Sequence, residues 1–425
     1  MKFLFISKEA LISDIAWQII KEGHEAKYFI EEKSEQEIGD GFVPKTNNWE
    51  KEVKWADVIV FDDVLGQGKI AHELRERGKK VIGGTHYTDR LEDDRSFGQE
   101  ELKRHKVNIL PYQDFFSFDE AIDYVQKNPD EYVIKPCGEA ANIKRLLFVG
   151  MEKDGGDVVR VLQSYKKVWS EEIKQFQLQK RVTGVEVAVG AFFNGHKFIK
   201  PININFEHKK LFPGNIGPAT GEMGTSMFWS DGNKLFDNTL LKMEPTLAKE
   251  GYVGYIDLNC IVNGNGIYPL EFTSRFGYPT ISIQYDSMIT PIGQFFYDLA
   301  NGKDIDLKVR KGFQVGVRVV VPPYPFRDKK TFNSYSKKAT IVFKKMDHYE
   351  GIHIEDVKIV KGEWVVTGGS GVALIVVGTG LTMRDAQRQA YGRIDNILIP
   401  NMYYRKDIGD RWYEEGDKLL MWGVI

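Results

Sequence analysis

The sequence is poor in cysteine and has no long apolar run. Cys137 and Cys260 are its only two cysteines among 425 residues, which argues against a disulfide framework and favours a reducing compartment. No run reaches the roughly 18 apolar residues that a membrane-spanning helix needs. The apolar segment at residues 3–6 is cut off by Lys8 and Glu9, too early for a secretion signal. These absences predict a cytoplasmic protein with no membrane partner.

An excess of either charge is also absent. The chain has 58 Lys and Arg against 60 Asp and Glu, a formal net charge of −2. A dedicated nucleic-acid binder normally carries a basic surplus, so no nucleic-acid partner is predicted. Charged residues make up 28% and hydrophobic residues 42% of the chain, which is typical of globular proteins. The length predicts about two to four domains.

Strand and helix patterns alternate near the start of the chain. Such alternation predicts a doubly wound domain with a parallel sheet. Its strands are predicted at residues 3–6, 26–30, 58–61 and 81–82, and its helices at 12–21 and 70–77. Much later, the prolines at 322, 323 and 325 predict a second boundary, because consecutive prolines interrupt regular pairing.

The middle of the chain mixes helices with antiparallel strands. The segment 177–206 alternates in the way expected of paired strands, and residues 255–262 and 267–273 flank a hairpin turn, Asn-Gly-Asn-Gly. Further strands are predicted at residues 107–110 and 132–135. Helices are predicted at residues 97–105, 118–128, 233–250 and 382–396.

Two acids on the predicted hairpin carry the strongest chemical signal. Asp257 and Glu271 lie on adjacent strands, where facing residues stand about 5 Å apart. Two carboxylates at that distance repel each other unless a cation lies between them. Mg²⁺ accepts a few carboxylate oxygens and completes its shell with water and phosphates. The pair therefore indicates a magnesium–nucleotide site, and the alternative is two acids on a solvated strand face.

Two basic residues strengthen the nucleotide interpretation. Arg275 follows Glu271 by four residues and can hold phosphoryl oxygens bidentately, although a surface ion pair with one of the acids is the alternative. Lys135 ends an apolar strand, where a buried ammonium requires an anion such as phosphate. The alternative for Lys135 is a side chain that extends to solvent at the sheet edge.

A glycine-rich loop, GPATGEMG, occupies residues 217–224. Such loops let backbone N–H groups converge on an anion, although a lone example is a weak signal. The loop lacks the Gly-Lys-Ser/Thr ending of a P-loop, and no Gly-x-Gly-x-x-Gly follows the first strand. His208 and Lys209 precede the loop, and a histidine in a basic segment is usually a surface residue.

The order of these motifs resembles the ATP-grasp ligases, and within them the phosphoribosylamine–glycine ligase family. The likeness runs from about residue 91 to 412. Residues 217–224 are similar to the family's GPNTGGMG loop, which also follows a His-Lys pair. Residues 271–279, EFTSRFGYP, are similar to EFNxRFGDP, and the end of the chain resembles the family's closing AY…R-DIG segment.

The resemblance implies a role for each matched position. Lys135 reaches the nucleotide phosphates, the backbone near Lys180 and Val182 meets adenine, and Glu186 accepts from the ribose hydroxyls. Asp257, Glu271 and Thr273 hold the metal, with Glu271 also facing the nucleotide. Arg275 stabilises the transferring phosphoryl group, with Lys209 as the second candidate catalytic residue. The candidate substrate-binding residues are His208, Gly217, Thr220, Gly221 and Gly224.

Several positions depart from the family pattern. Thr273 replaces an asparagine, and its hydroxyl can still ligate Mg²⁺. Tyr278 replaces the aspartate of RFGDP, and Glu222 replaces a loop glycine and adds negative charge. The lid loop after Lys135 lacks the usual Gly-Lys-Gly, where Lys144 can substitute. After the first strand, residues 8–14 replace Gly-Gly-Arg-Glu-His, the turn expected to help bind a phosphorylated amine.

The resemblance implies an α/β ATP-grasp fold, with α+β parts, in three domains. These are a Rossmann-like domain at 1–95, an ATP-grasp domain at 96–325 with a lid near 130–182, and an α+β domain at 326–425. It also implies an ATP- and Mg²⁺-dependent ligase of purine biosynthesis, a monomer or homodimer, that joins glycine to 5-phosphoribosylamine. Mn²⁺ is a possible substitute metal. The alternatives are a ligase that joins an amino acid to another amine and a non-catalytic nucleotide-binding protein.

Overall fold

The N-terminal region forms a four-stranded parallel sheet. The computed structural model describes residues 1–62, 66–138, 140, 143, 146–345 and 349–425. The sheet order is β2-β1-β3-β4. The chain adds β2 on one side of β1 and then β3 and β4 on the other, which is the doubly wound arrangement that the alternating pattern predicts. Its strands are β1 (Lys2–Ser7), β2 (Glu25–Ile30), β3 (Val58–Phe61) and β4 (Val81–Ile82). The helices of this region are α1 (Ser13–Lys21), α2 (Trp49–Glu52) and α3 (Gly68–Glu76).

A second, antiparallel sheet of four strands lies between residues 112 and 180, a span that includes most of the segment predicted as a lid. Its order is β5-β8-β6-β7, and stacked rings of Phe115, Phe118 and Phe176 fill its core. The strands are β5 (Tyr112–Phe115), β6 (Tyr132–Pro136), β7 (Phe148–Val149) and β8 (Phe176–Lys180). The nearby helices are α4 (His86–Asp93), α5 (Arg95–Arg104), α6 (Phe118–Lys127) and α7 (Gly156–Val168).

An eight-stranded antiparallel sheet is the centre of the molecule. Its order is β15-β14-β9-β10-β13-β16-β21-β18. The strands that follow the lid are β9 (Val185–Asn194), β10 (Ile202–Glu207), β11 (Lys210–Phe212), β12 (Ile216–Ala219), β13 (Gly224–Ser230), β14 (Val253–Asn263), β15 (Gly266–Thr273) and β16 (Phe313–Val320). The C-terminal strands are β17 (Thr340–Phe343), β18 (Ile352–Ile354), β19 (Val357–Val360), β20 (Glu363–Val366), β21 (Val372–Gly380) and β22 (Ile397–Leu398).

Short helices cover this sheet. They are α8 (Lys234–Asn238), α9 (Glu244–Lys249), α10 (Thr280–Ser287), α11 (Ile292–Ala300), α12 (Lys329–Tyr335), α13 (Met383–Ile394) and α14 (Asp417–Met421). A 3₁₀ turn (Leu240–Met243) and a π turn (Trp412–Gly416) complete the helical elements. β19, β20, β17 and β22 form a separate small sheet, and β11 pairs with β12. Among the described residues, no helix is both long enough and apolar enough to cross a membrane.

The two faces of the central sheet differ sharply in polarity. Side chains alternate across a strand, so Val187 and Val189 of β9 and Ile204 of β10 point into an apolar core together with Leu258 of β14. The opposite face carries the polar residues of the same strands. It therefore brings the predicted site residues Glu186 of β9, Asp257 of β14, and Glu271 and Thr273 of β15 onto one surface.

Three predicted elements differ from the structure. Residues 107–110 form no strand, because Val107 closes the end of α5 through a bond from its N–H to the Leu102 carbonyl. The single helix predicted over 233–250 is three short segments, since Thr239 leaves helical geometry and Pro245 begins a new helix. Residues 217–219 of the predicted glycine-rich loop are part of strand β12, which pairs with β11 in a hairpin.

Candidate active site

The two predicted metal-binding acids share one face of the β14–β15 hairpin, but they are not direct partners. Asp257 lies opposite Thr273, and Glu271 lies opposite Asn259, with a register shift directly after Asn259. The acids are therefore diagonal neighbours, which stand about 7–8 Å apart rather than the predicted 5 Å. The four side chains place carboxylate, hydroxyl and amide groups around one point of the sheet.

The electrostatic environments of the two acids differ. Burial and the nearby Glu207 raise the pKa of Asp257 well above its usual range. Burial also opposes ionisation of Glu271, but Lys209 and Arg95 lower the pKa of its carboxyl below the ordinary value. Without a cation, the Asp257 carboxyl therefore favours its neutral form, whereas the positive charges of Lys209 and Arg95 keep Glu271 ionised.

Lys209 supplies that neighbouring charge. Its Nζ lies 3.1 Å from Glu186 Oε1, 3.3 Å from Glu207 Oε2 and 3.7 Å from Glu271 Oε1. Although burial opposes its charge, Glu207 and Glu186 raise the pKa of Lys209 well above its usual range. The ammonium therefore neutralises three carboxylates that come from three different strands.

Lys135 lies on the lid strand β6 and is buried. Its Nζ donates to Gln179 Oε1 of β8 at 2.6 Å. Burial and the positive charge of Arg95 lower the pKa of Lys135 to about 7, although Glu271 and Glu186 act in the opposite direction. Because the lysine is buried and paired with a neutral amide, the interpretation of a solvent-exposed side chain is wrong.

The prediction that Lys135 binds the nucleotide phosphates implies that ATP binding depends on pH. Phosphates favour the ammonium form, whereas a pKa of about 7 makes free Lys135 increasingly neutral as the pH rises. We therefore expect the dissociation constant of ATP to rise by up to about tenfold per pH unit between pH 7.5 and 9. Isothermal titration across this range measures it. Lys135→Arg stays charged and should show a flatter profile, and parallel profiles for the two proteins would contradict the expectation.

Arg275 is held by an acid that the sequence did not suggest. Its Nη2 lies 3.0 Å from Glu92 Oε1 on α4, and the Ser274 N–H donates to the other oxygen of Glu92 at 2.9 Å. Burial raises the pKa of Glu92, while Arg275 lowers it. The guanidinium is thereby anchored beside Asp257 without being paired to either predicted metal acid.

The loop at 217–224 is fastened to its surroundings by backbone bonds. The N–H and hydroxyl of Thr220 both donate to the Lys209 carbonyl, at 2.8 and 2.9 Å. Gly217 adopts φ +82°, and a Cβ there would approach Phe212 Cδ2 to 2.5 Å, so the turn requires glycine. Gly221 is exposed, and Gly224 is buried at the start of β13.

Two residues of this region differ from their sequence interpretation. His208 is buried rather than a surface residue, and burial together with Arg411 and Arg405 lowers its pKa to about 3. Glu222 is also buried, and burial and Glu207 raise its pKa well above the usual range. Since burial favours the neutral acid, Glu222 adds less negative charge than its sequence position suggests.

The predicted adenine and ribose residues form the connection between lid and central sheet. Lys180 ends β8, where its N–H donates to the Pro111 carbonyl at 2.9 Å and its Nζ pairs with Asp130 at 2.6 Å. Val182 lies in the four-residue link, 181–184, between β8 and β9. Glu186 Oε1 accepts from Asn259 Nδ2 at 2.9 Å. The substitute lid residue Lys144 lies outside the described residues, as do Glu139, Ala141, Asn142 and Arg145.

The residues present fit a magnesium ion that binds together with a nucleotide. Among the described residues, no three His, Cys, Asp or Glu side chains form a ready-made metal site. Magnesium at nucleotide sites needs only one or two carboxylates, because phosphates complete its shell. Asp257, Glu271 and Thr273, on one face of one hairpin, meet that requirement.

The turn after β1 faces the C-terminal region. Asp14 Oδ1 accepts the Ile354 N–H at 2.8 Å, and its Oδ2 lies 2.9 Å from His353 Nδ1. Although burial opposes the charge, Asp14 and Asp286 raise the pKa of His353 to about 9. The departure from the family's Gly-Gly-Arg-Glu-His turn therefore includes an acid that is used within the chain.

Sequence reasoning missed Glu207, Asn259, Gln179 and Glu92. A signal existed for the first two. Residues 202–207, ININFE, alternate apolar and polar residues along one strand, which places Glu207 on the polar face. Asn259 follows Asp257 by two residues, which places both side chains on the same face. Gln179 and Glu92 have no such signal, because they reach the site from separate elements.

Two protein-family models match this chain. The model of the phosphoribosylglycinamide synthetase ATP-grasp (A) domain matches residues 93–281. The model of the C domain of the same synthetase matches residues 314–411. Together they cover more than half of the chain, in the order that the sequence motifs predict. The chain belongs to the phosphoribosylglycinamide synthetase family.

Curated relatives of this synthetase family are similar over most of their length. A phosphoribosylamine–glycine ligase of Clostridium acetobutylicum is 27% identical over 355 residues, which are 80% of this chain and 81% of the relative. One of Streptococcus pneumoniae is 27% identical over 376 residues, covering 86% and 85%. The predicted resemblance is thus confirmed.

Solved structures confirm the ATP-grasp fold. A phosphoribosylamine–glycine ligase of Thermotoga maritima aligns with a TM-score of 0.73 at 22% identity, covering 96% of this synthetase-family chain and 100% of that one. A Hydrogenobacter thermophilus biotin carboxylase domain in complex with MgADP aligns at 0.65 and 14% identity, covering 95% and 91%. ATP and Mg²⁺ are the general cofactors of ATP-grasp proteins.

Proposed function

We propose that this chain is an ATP-dependent carboxylate–amine ligase that joins glycine to 5-phosphoribosylamine. The products are glycinamide ribonucleotide, ADP and phosphate. The observation that carries this proposal is the match to both synthetase domains, over residues 93–281 and 314–411. The acids on the central sheet face support it, together with Lys209, Arg275 and Lys135 of β6, because these groups carry the charges that phosphoryl transfer needs. We further propose a cytoplasmic monomer or homodimer that can use Mn²⁺ in place of Mg²⁺.

The chemistry begins with a carboxylate, which is a poor electrophile. Transfer of the γ-phosphoryl group to the glycine carboxylate gives an acyl phosphate and ADP. The amine then attacks the carbonyl, phosphate leaves, and the amide forms. Holding both substrates on one surface makes the second step effectively unimolecular. Closure of the lid excludes water, which would otherwise hydrolyse the acyl phosphate.

The nucleotide would lie between the lid and the central sheet. We assign the adenine contacts to the backbone near Lys180 and Val182, the ribose contact to Glu186, and a phosphate contact to Lys135. Lys135 and Glu186 are close enough to interact, because the Glu186 carboxylate raises the pKa of Lys135. This assignment predicts that both residues act on ATP rather than on glycine.

Phosphoryl transfer is assigned to the hairpin. A Mg²⁺ ion held by Asp257, Glu271 and Thr273 would neutralise charge on the transferring group. Arg275, anchored by Glu92, would stabilise the same charge. Lys209, paired with Glu186, Glu207 and Glu271 on this face, would add positive charge close to the transferring group. The glycine-rich loop, with His208, Gly217, Thr220, Gly221 and Gly224, is assigned to the substrates.

An ADP-release assay tests the proposal. With ATP and Mg²⁺ present, ADP should form only when glycine and freshly prepared 5-phosphoribosylamine are both added. The Arg275→Ala variant is the control for contaminating ATPase activity. No ADP under these conditions, or the same rate without the phosphorylated amine, would contradict the proposal.

A second candidate is a ligase that joins an amino acid to a different amine. The bonds of Asp14 to Ile354 and His353 favour it, because the turn expected to help bind the amine's phosphate instead presents an acid that pairs within the chain. Amino acids crossed against amines in the same assay distinguish the two. Dependence on an amino acid without dependence on phosphoribosylamine would favour this candidate.

A further inference from the structure

A chain of buried hydrogen bonds leads to the metal-site acid Asp257. Gln284 Nε2 on α10 donates to Asn203 Oδ1 on β10 at 3.0 Å. Asn203 Nδ2 donates to Tyr255 Oη on β14 at 3.0 Å, and the Tyr255 hydroxyl donates to Asp257 Oδ2 at 3.4 Å. The exposed fractions of these four residues are 0%, 0%, 1% and 3%. The chain therefore lies out of solvent along its whole length.

The direction of these bonds follows from the chemistry of the groups. An amide nitrogen only donates, so the Tyr255 oxygen accepts from Asn203 and keeps its single proton for Asp257. Asn203 Nδ2 also donates to Asn205 Oδ1 at 2.8 Å, which uses its second proton. Its oxygen is left to accept from Gln284. Each member thus fixes the orientation of the next, and the last bond is made to a carboxylate.

The sheet keeps a space for the tyrosine hydroxyl. Gly190 of β9 lies between Asp257 of β14 and Asn203 of β10 in register. A Cβ at position 190 would lie 1.9 Å from Tyr255 Oη and 2.8 Å from Asp257 Cβ. Only glycine leaves this space open. On its other side, the Tyr255 ring packs against Phe192 with the centroids 5.2 Å apart.

We propose that Tyr255 is a positioning residue that orients the Asp257 carboxylate for the metal ion. The proposal rests on the metal site of the proposed function. A hydrogen bond to Oδ2 fixes the rotation of the carboxylate and directs Oδ1 toward the face shared with Glu271 and Thr273. Once a cation holds Asp257 in its ionised form, this hydrogen bond to a charged group is stronger than a neutral one. Residues that orient metal ligands typically contribute about 10–100-fold in metal affinity.

Direct titration of Mn²⁺ tests this role without relying on turnover. Electron paramagnetic resonance counts free Mn²⁺ in the presence of the non-hydrolysable analogue AMP-PNP. We expect Tyr255→Phe, which removes only the hydroxyl, to raise the Mn²⁺ dissociation constant about 10–100-fold. Saturating metal should restore most of kcat. Gln284→Met removes the far end of the chain and should weaken Mn²⁺ binding in the same direction, but less.

Tyr252→Phe is the matched control. Tyr252 directly precedes β14, its hydroxyl donates to the carbonyls of Tyr255 and Ser274, and its loss should leave Mn²⁺ affinity unchanged. Unchanged affinity in Tyr255→Phe, or equal losses in both tyrosine variants, would overturn the positioning role. Asp257→Asn separates the two claims. If it binds Mn²⁺ as the parent does, the metal assignment itself fails; if it loses Mn²⁺ while Tyr255→Phe does not, only the positioning role fails.

Discussion

Replacing Glu271 with alanine is expected to lower the rate of Mg²⁺-dependent ADP formation at least about 100-fold, the scale of removing one preorganised charge from a transition state. Glu271 shares the hairpin face with Asp257 and Thr273, and Lys209 and Arg95 keep it ionised despite its burial. Its carboxylate is therefore ionised, which is the form that binds a metal cation. ADP release measured over a Mg²⁺ series gives the result.

The control for this variant is Glu363→Ala, which removes an exposed strand glutamate of the C-terminal region. That protein should keep its rate and its Mg²⁺ dependence. Near-normal turnover of Glu271→Ala would remove Glu271 from the metal site. A rate that falls in both variants would instead indicate a general loss of folded protein, which circular dichroism detects.

Replacing Lys209 with methionine is expected to have the second large effect. Three carboxylates, Glu186, Glu207 and Glu271, then lose the ammonium that lies within 3.1–3.7 Å of each. The three carboxylates that surround this ammonium repel one another unless another cation takes its place. We expect ADP formation to fall roughly 100-fold. We also expect Mn²⁺ to raise the melting temperature of the variant without nucleotide, and to raise that of the parent much less.

Lys210→Met is the matched control, because Lys210 is the exposed neighbour of Lys209. Its melting temperature and its response to Mn²⁺ should equal those of the parent. A Lys209→Met protein that turns over ATP normally would contradict a catalytic role for this lysine. One that ignores Mn²⁺ in the melting experiment would show that the three carboxylates do not act as a group.

The site could be predicted from sequence where its residues follow one another closely. Asp257 and Glu271 flank a single turn, so their place on paired strands followed from the alternating pattern alone. Their register did not, because the shift after Asn259 changes which residues face each other. Lys209 was recognised only as part of a resemblance, since its three partners lie between 2 and 62 residues away along the chain.

Whether a single polar side chain is buried or exposed was the least predictable property of the site. His208 has a basic neighbour and was predicted to be a surface residue, yet it is buried. Glu222 replaces a glycine and seemed an added charge, yet it is buried beside Glu207. Burial of a single side chain depends on what packs over it, and local sequence holds little of that information.

The amino-acid order by itself determined the parallel N-terminal sheet, the acidic hairpin and the motifs that lead to the synthetase family, because those features arise from neighbours along the chain. Only the tertiary structure decided that Lys209 meets three strands at once, that Glu92 anchors Arg275, and that Gln284 reaches Asp257 through Tyr255. These contacts form when distant segments pack together. Strand register and the space left by one glycine, Gly190, then select which side chains touch.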